Sequence, residues 1–312
     1  MATLQGAARR TVFDALKLQA GEQFLLVTDE PKLDIARAVA AQAKEAGADV
    51  TTYLMTETLR PITAPTRLFD LMVRQADVTL YMLDARAEEK PFRGHMVQQG
   101  TRGRICMMPG ITRDMMERLV DVDFAKMRAR TFDLIEAIEN AEEVHVTNDQ
   151  GTDITFSVAG RRWMPDVGDL GEAHVHGNLP AGEAFTCPVE ETFTGQVVIA
   201  SIDDKVAPGR MIFDKGRLVD HEGEGLGAIM DLVGDDETGR IIGEFGIGTN
   251  EAARICENML EAEKAYGTCH FAIGDSYGLG KNASSHHYDA LVERVTIVAD
   301  GDTLIEDGRF KI

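Results

Sequence analysis

The chain has 312 residues, of which 44% are hydrophobic and 27% are charged, so its composition allows a packed core and its length allows two domains. Its 32 Lys and Arg residues stand against 52 Asp and Glu residues, which gives a net charge of -20. A chain this acidic repels the phosphates of nucleic acids and of anionic membrane surfaces, so we expect neither as a partner.

The sequence also shows no feature that directs it out of the cytoplasm. Its first residues contain no basic segment followed by an apolar core, and no run of about 18 apolar residues occurs. The four cysteines form no C-x-x-C pair. We therefore expect a cytoplasmic protein with reduced thiols, without a signal peptide or a membrane span.

The first 140 residues alternate strand and helix patterns. Four short apolar runs predict strands, at residues 23–28, 49–55, 78–83 and 104–108. Helical patterns cover residues 33–46, 66–75 and about 122–141. Strands that alternate with helices in this way indicate a parallel sheet with crossover helices. We predict an N-terminal three-layer α/β domain at residues 1–140.

No nucleotide-binding motif accompanies this predicted sheet. The first strand is followed by Asp29-Glu30-Pro31-Lys32 rather than by a glycine-rich phosphate loop. The glycine-rich stretch Gly223–Gly227 lacks a preceding strand and carries an acidic residue where a phosphate would lie, so we predict a turn there. The α/β domain is therefore predicted to have no nucleotide role.

The second part of the chain is rich in short β-branched runs. Such runs occur at residues 143–148, 153–158, 196–200, 293–299 and 303–306. Turn-forming residues separate the first two runs and the last two runs, as two hairpins require. We predict a C-terminal β-rich, metal-binding domain at residues 141–312.

Potential metal ligands are concentrated in this second part. His287 and Asp289 are separated by one residue, so on an extended segment both side chains share one face and can bind one cation. His270 lies in an apolar segment, and Glu183 in a stretch rich in Gly and Pro, where burial without a partner is costly. Imidazoles together with carboxylates suit Zn, Mn, Co or Fe.

Four motifs follow one another in this region. They are N-L-P-A-G-E-x-F-T-x-P at 178–188, G-E-x-G-I-G-T-N at 243–250, E-K-x-x-G-T-x-H-x-A-x-G at 263–274 and N-x-S-x-x-H-x-D at 282–289. In this order they resemble the thermophilic aminopeptidase family of metal-dependent peptidases, of the leucyl aminopeptidase type. The resemblance covers about residues 177–290, and the α/β pattern upstream is compatible with that family's N-terminal domain.

The resemblance implies a site for two divalent ions (Zn, Co or Mn) and a homodimer. The metal ligands that it implies are Glu183, Glu244, His270, Tyr277, His287 and Asp289. Two such ions activate a water that removes N-terminal residues from peptides or cleaves a small amide. Tyr277 is also expected to stabilise the oxyanion, and Glu263 is a candidate general base or a residue that orients a ligand. His286 is an alternative for the ligand position of His287.

Two departures from the family concern the substrate pocket. The chain is shorter than the family's typical peptidases, and the loop between His270 and His287 is trimmed. A ring-cleaving dioxygenase for dihydroxypyridines resembles the same family and would use one Fe(II) held by His270, His287 and Asp289. That chemistry does not need Glu183 or Glu244, so the presence of both favours a hydrolase. A hydrolase of another amide, and a binding protein that has lost catalysis, are further alternatives.

Overall fold

The computed structural model describes residues 2–100, 103–172, 174–203, 205 and 207–312. Contacts divide the chain into two compact units, the first formed by Met1–Asp123 and Gly168–Ala181, the second by Phe124–Val167 and Gly182–Ile312. By contact, residues 124–140 therefore group with the second unit, and residues 168–181 return to the first. The division into two domains at residue 140 stays a prediction.

The described residues form the following strands and helices. The strands are β1 Gln23–Asp29, β2 Asp49–Met55, β3 Val78–Met82, β4 Arg104–Met107, β5 Val144–Thr147, β6 Asp153–Phe156, β7 Met164–Asp166, β8 His176–Asn178, β9 Glu183–Thr186, β10 Thr194–Ile199, β11 Ser201–Ile202, β12 Gly209–Asp214, β13 Arg217–Glu222, β14 Ile242–Gly248, β15 Cys269–Gly274, β16 His287–Val292, β17 Thr296–Ala299, β18 Asp302–Glu306 and β19 Arg309–Phe310. The α-helices are α1 Leu4–Arg10, α2 Leu33–Glu45, α3 Arg67–Gln75, α4 Lys90–Gln99, α5 Arg113–Met115, α6 Phe124–Ile138, α7 Glu224–Val233 and α8 Met259–Ala262. Short 3-10 turns lie at Glu30–Lys32, Glu57–Leu59, Ala87–Glu89, Glu190–Thr192 and Glu237–Arg240, and π-helical turns at Thr11–Ala15 and Met116–Val120. None of the helices in these described ranges is long and apolar enough to cross a membrane.

The first unit is built on a parallel sheet. Its strand order is β2-β1-β3-β4-β8, and all of the pairings are parallel. The connections β1–α2–β2, β2–α3–β3 and β3–α4–β4 are helical crossovers, which parallel strands require. Leu25, Val27 and Tyr81 of the central strands pack with Phe69 and Phe92 of the helices in one apolar cluster. The predicted α/β fold of this part of the chain is confirmed.

The second unit contains two antiparallel sheets. One has the strand order β13-β12-β10-β6-β5-β17-β18-β19, and the other has the order β11-β16-β15-β14-β9-β7. Val146 and Ile154 of the first sheet and Phe245 and Phe271 of the second belong to one apolar core, to which α6 adds Leu134. The predicted hairpins form as β5–β6 and β17–β18. The predicted β-rich character of this part is therefore confirmed.

The second sheet has one apolar face and one polar face. Side chains alternate along a strand, so Phe245 and Phe271 point into the core, where their rings stack 5.3 Å apart. Glu244 and His270 precede them by one residue and therefore lie on the opposite face. Phe245 and Phe271 thus hold this sheet against the core, while its opposite face carries the candidate site.

The prediction of a turn at Gly223–Gly227 is wrong, because α7 begins there. Gly223 is the N-cap, with φ of 124°, and the helix runs from Glu224 to Val233. Leu226, Ile229, Met230 and Val233 are all buried, and their spacing of three or four residues forms an apolar helix stripe. This burial outweighs the poor helix propensity of the glycines inside the helix.

Candidate metal centre

Neighbouring strands of the second sheet supply five of the six predicted ligands. These are Glu183 on β9, Glu244 on β14, His270 on β15, and His287 and Asp289 on β16. Glu244 is paired with Ala272, and Ala272 is paired with Asp289, so these positions share one face of the sheet. His270 and His287 lie two residues before Ala272 and Asp289 and face the same way. Strand register therefore brings the ligands together although they come from four strands.

The donor atoms form two groups of three residues. Group 1 consists of Glu183, Glu263 and His270, and group 2 consists of Glu244, His287 and Asp289; within each group one donor atom per residue lies within 4.8 Å of the other two. Nε2 of His270 lies 3.0 Å from Oε1 of Glu244 and 3.8 Å from Oε2 of Glu183. The two groups are therefore adjacent, with His270 between them.

His287 is oriented by a backbone hydrogen bond. Its Nδ1 donates to the carbonyl oxygen of Asp275 at 2.8 Å, because a carbonyl oxygen can only accept. Its Nε2 then faces Oδ1 of Asp289 at 3.3 Å and Oε2 of Glu244 at 3.8 Å. A backbone carbonyl that holds one imidazole nitrogen while the other faces the site is typical of histidine metal ligands.

Two glycines of the G-E-x-G-I-G motif make room for the site. A Cβ at Gly246 would overlap the imidazole of His270, which lies across β14 at this position. A Cβ at Gly248 would overlap the backbone of Ala265. The amide N–H of Asn250 then donates to the carbonyl oxygen of Lys264 at 2.9 Å. The motif therefore places His270 and the segment 263–265 directly against β14.

Lys264 is a residue of the site that was not predicted from the sequence. Its side chain is fully buried, and its ammonium lies 2.5 Å from Oε1 of Glu183, 2.7 Å from Glu263 and 3.2 Å from Asp166. Burial alone would lower the pKa of Lys264, but the charges of Glu183, Glu263 and Asp166 raise it well above its usual value. The lysine is therefore a buried cation within the carboxylate cluster.

The sequence contained a signal for Lys264 but none for Asp166. Lys264 follows Glu263 between apolar neighbours that are themselves buried, Ala262 and Ala265, and a buried lysine requires acidic partners. Asp166 reaches the cluster only because β7 pairs with β9, which places it beside Glu183. That pairing connects segments that no local pattern links.

The two imidazoles of the site are surrounded by carboxylates. Burial alone would lower the pKa of His270, but the hydrogen bond to Glu244 and the charges of Glu183, Glu244 and Asp289 raise it to about 10. Burial likewise opposes the charge of His287, and the charges of Asp289 and Glu244 raise its pKa to about 9. The cluster therefore attracts positive charge strongly.

The residues present fit a divalent metal. Oε1 of Glu183 is held by Lys264, whereas its buried Oε2 has no hydrogen-bond partner among the described residues. A buried carboxylate oxygen without a donor is destabilising, and a cation in group 1 would satisfy it. The four carboxylates and two imidazoles of the two groups form a donor set that suits Zn, Mn, Co or Fe.

Tyr277 lies at the edge of the site. Its ring packs on the imidazole of His287 with centroids 4.4 Å apart, and the residue is 63% exposed. The loop that carries it is held by short hydrogen bonds from Ser276 to the carbonyl oxygen of Asn282 and from the Asn282 amide to that of Gly274, each at 2.6 Å. The loop therefore presents Tyr277 beside group 2.

The structure separates His286 from His287. The imidazole of His286 faces Asp236, with Nε2 to Oδ2 at 3.6 Å, and its ring stacks with Tyr288. His287 lies with Glu244 and Asp289 in group 2. The geometry thus places His287, rather than its neighbour, among the predicted ligands.

Comparison with known proteins agrees with this geometry. The sequence profile of the thermophilic metalloprotease family (M29) matches residues 125–305, which is more than half of the chain. The chain belongs to this family. The matched region includes every residue of groups 1 and 2, together with Lys264, Asp166 and Tyr277. The family resemblance stated from the motifs is confirmed, and the chain is a metal-dependent hydrolase of the peptidase class.

Two solved structures share the fold of this M29 chain. Wild-type AmpT from Thermus thermophilus is 18% identical, and the match covers 99% of each chain with a TM-score of 0.82. A 2,5-dihydroxypyridine dioxygenase from Pseudomonas putida KT2440 is 16% identical, and the match covers 98% of this chain and 96% of the dioxygenase with a TM-score of 0.77. At these identities the likeness shows the fold alone. The comparison with curated protein sequences gives no match.

Proposed function

We propose that this protein is a metal-dependent aminopeptidase that removes N-terminal residues from peptides with the help of two divalent ions. The ions would be held by Glu183, Glu244, His270, Tyr277, His287 and Asp289. The observation that carries the proposal is the pair of adjacent groups, joined by the contact between His270 and Glu244, in a chain of a metalloprotease family.

The chemistry divides between the ions and the chain. When bound, two divalent ions supply a water that ionises near neutral pH and an electrophile for the scissile carbonyl group. Glu263 accepts a proton from the attacking water and passes it to the leaving amine, which is the role of a general base and acid. Its carboxylate is held for this task by the ammonium of Lys264 at 2.7 Å.

Tyr277 and the acidic surroundings act on the substrate. The Tyr277 hydroxyl donates a hydrogen bond to the scissile carbonyl oxygen as negative charge develops on it. A free N-terminal amino group can be recognised through its positive charge by carboxylates, or through its nitrogen lone pair by a bound metal ion. Either form of recognition would give a preference for a free N-terminus.

The family resemblance supports further features of this proposal. We infer that the ions are Zn, Co or Mn, and that the protein works as a cytoplasmic homodimer. We also infer that the β-rich part of the chain from residue 141 carries the chemistry, while residues 1–140 form the α/β domain. Gel filtration and limited proteolysis of the full chain would test the dimer and the domain division.

The test combines metal content with substrate specificity. Protein purified without chelator should contain about two Zn, Co or Mn ions per chain and should hydrolyse aminoacyl anilides. The matched control is the same anilide with an acetylated amino group, which should not be cleaved. If the protein with both metals bound hydrolysed none of the aminoacyl substrates, a hydrolase of another amide would be favoured. No metal after reconstitution would favour a binding protein.

The same measurement of metal content distinguishes the peptidase from the dioxygenase alternative. Its iron would need His270, His287 and Asp289 in one set, whereas the structure groups His270 with Glu183 and Glu263. The fold it shares with the solved dioxygenase does not distinguish the two activities. A single iron per chain, with ring cleavage of a dihydroxypyridine, would replace the peptidase proposal.

A further inference from the structure

The two groups differ in the cations that already contact their carboxylates. In group 1, both carboxylates contact the ammonium of Lys264, Glu183 at 2.5 Å and Glu263 at 2.7 Å. In group 2, the carboxylates are contacted by imidazoles, Asp289 by His287 at 3.3 Å and Glu244 by His270 at 3.0 Å. An imidazole nitrogen can serve as a metal ligand, whereas a lysine ammonium offers only hydrogen-bond donors and repels a dication.

The groups also differ in preorganisation and access. In group 2, His287 is already oriented by the carbonyl oxygen of Asp275, so its Nε2 faces the carboxylates. In group 1, Nδ1 of His270 is buried without a hydrogen-bond partner in the part of the chain that the structure describes. The side chains of group 2 are between 9% and 17% exposed, whereas those of group 1 are between 0% and 13% exposed. Group 2 is therefore slightly more exposed than group 1.

We propose that Lys264 makes the two groups unequal, so that group 2 takes its divalent ion first and tightly, while group 1 takes a second, weaker and more readily exchanged ion. This inference rests on the proposed function, because it assumes that both groups bind metal. Its physical reason is electrostatic. A dication entering group 1 approaches the Lys264 ammonium, which contacts two of the three residues of that group, and like charges repel strongly where water is excluded.

Lys264 thus has two opposing effects on group 1. It neutralises part of the charge of Glu183, Glu263 and Asp166, which lets three carboxylates lie close together around one buried ammonium. It also lowers the affinity of that group for a dication. Replacement of the lysine by a neutral side chain of similar length should therefore strengthen the second binding event, provided that the protein folds.

The test is a Zn²⁺ titration of chelator-treated full-length protein, followed by equilibrium dialysis and metal analysis. Wild type should show two classes of site whose dissociation constants differ by about tenfold or more. In Lys264→Met the weaker class should tighten by about tenfold or more, while the tighter class changes little. Lys264→Arg keeps the charge and should keep the weaker class weak. Lys126→Met, on an exposed lysine of α6, is the matched control.

Two further variants keep the inference testable if Lys264→Met does not fold. His287→Ala should remove the tight class and leave the weak one, and His270→Ala should remove the weak class. Loss of the tight class in His270→Ala, or two equal classes in wild type, would overturn the inference and leave the peptidase proposal intact. Weaker binding in a folded Lys264→Met would also overturn it, because the lysine would then position the carboxylates for the metal. No zinc binding at all would remove the proposed function as well.

Discussion

Nε2 of His270 lies 3.0 Å from Oε1 of Glu244, and this contact joins the two groups of candidate metal ligands. The two residues come from neighbouring antiparallel strands, and the imidazole can lie across β14 only because Gly246 has no side chain. The geometry of the site therefore depends on a residue that carries no chemistry of its own.

Gly246→Ala is expected to disrupt the site while the fold is retained. The new Cβ would overlap the His270 imidazole, which must move away from both groups. A displacement of about 1 Å at a catalytic group can reduce the rate by about a hundredfold. Metal content and kcat of the purified variant should both fall. Gly227→Ala in α7 is the matched control, because a Cβ there meets nothing within 4 Å. Full metal content and activity in Gly246→Ala would contradict this account of the site.

Glu183→Gln is expected to abolish hydrolysis. The substitution removes a negative charge between Lys264 and His270 and replaces a candidate ligand by a weaker one. Metal analysis and hydrolysis of an aminoacyl anilide should show loss of an ion and of activity. Glu136→Gln, at an exposed position of α6, controls for the change of residue type. A Glu183→Gln variant with full peptidase activity would show that the two-metal assignment is wrong.

Glu263→Gln should separate catalysis from metal binding. Without a proton acceptor, kcat should fall by about a hundredfold or more, while KM and the number of bound ions change little. Steady-state kinetics and metal analysis on one preparation provide the test, with the exposed Glu257→Gln as control. If the ion count falls together with kcat, Glu263 is a ligand rather than the base.

Tyr277→Phe should lower kcat by about tenfold or more and leave KM nearly unchanged. The phenyl ring keeps the packing on His287, with centroids 4.4 Å apart in the wild type, so only the hydroxyl is lost. Tyr277→Ala removes the ring as well and should also change KM. An unchanged kcat in the phenylalanine variant would assign Tyr277 to packing alone.

Arg60 is expected to be the main electrostatic support of the first unit. Its side chain is fully buried and contacts Asp29 and Glu89, each at 2.7 Å. Arg60→Met leaves both carboxylates buried without their cation, and the free energy of unfolding should fall by about 3–5 kcal/mol. Arg74→Met breaks an exposed pair with Asp70 and should cost about 1 kcal/mol or less. Urea unfolding followed by hydrogen exchange in β1 and β3 would measure both.

The contribution of this cluster should depend on pH in a defined direction. Burial alone would raise the pKa of Glu89, but the hydrogen bonds from Arg60 and from the amide of Ile62 lower it below the usual 4.5. A folded-state pKa below that of the unfolded chain stabilises the fold above about pH 4.5, and this stabilisation is lost as the pH falls through the lower value. The stability difference between wild type and Arg60→Met should therefore shrink below about pH 4.5. A difference that grows on acidification would contradict this.

The sequence by itself determined the local patterns of this protein. The period of two along the strands places His287 and Asp289 on one face, and the alternation of strands and helices predicts the parallel sheet. The four motifs also indicated the family and the set of candidate ligands. These features depend on residues that lie close together in the chain, or on motifs that can be recognised as continuous stretches of sequence.

The tertiary structure alone decided which distant segments meet. Residues 168–181 add β8 to the parallel sheet, and the pairing of β7 with β9 brings Asp166 beside Glu183. The contact of Lys264 with Asp166 depends on the pairing of β7 with β9. α7 forms because its apolar stripe is buried in the core of the second unit. The local glycine content of the sequence could not reveal this burial. Register between strands and burial are properties of the whole fold, because each is fixed by residues far apart in sequence.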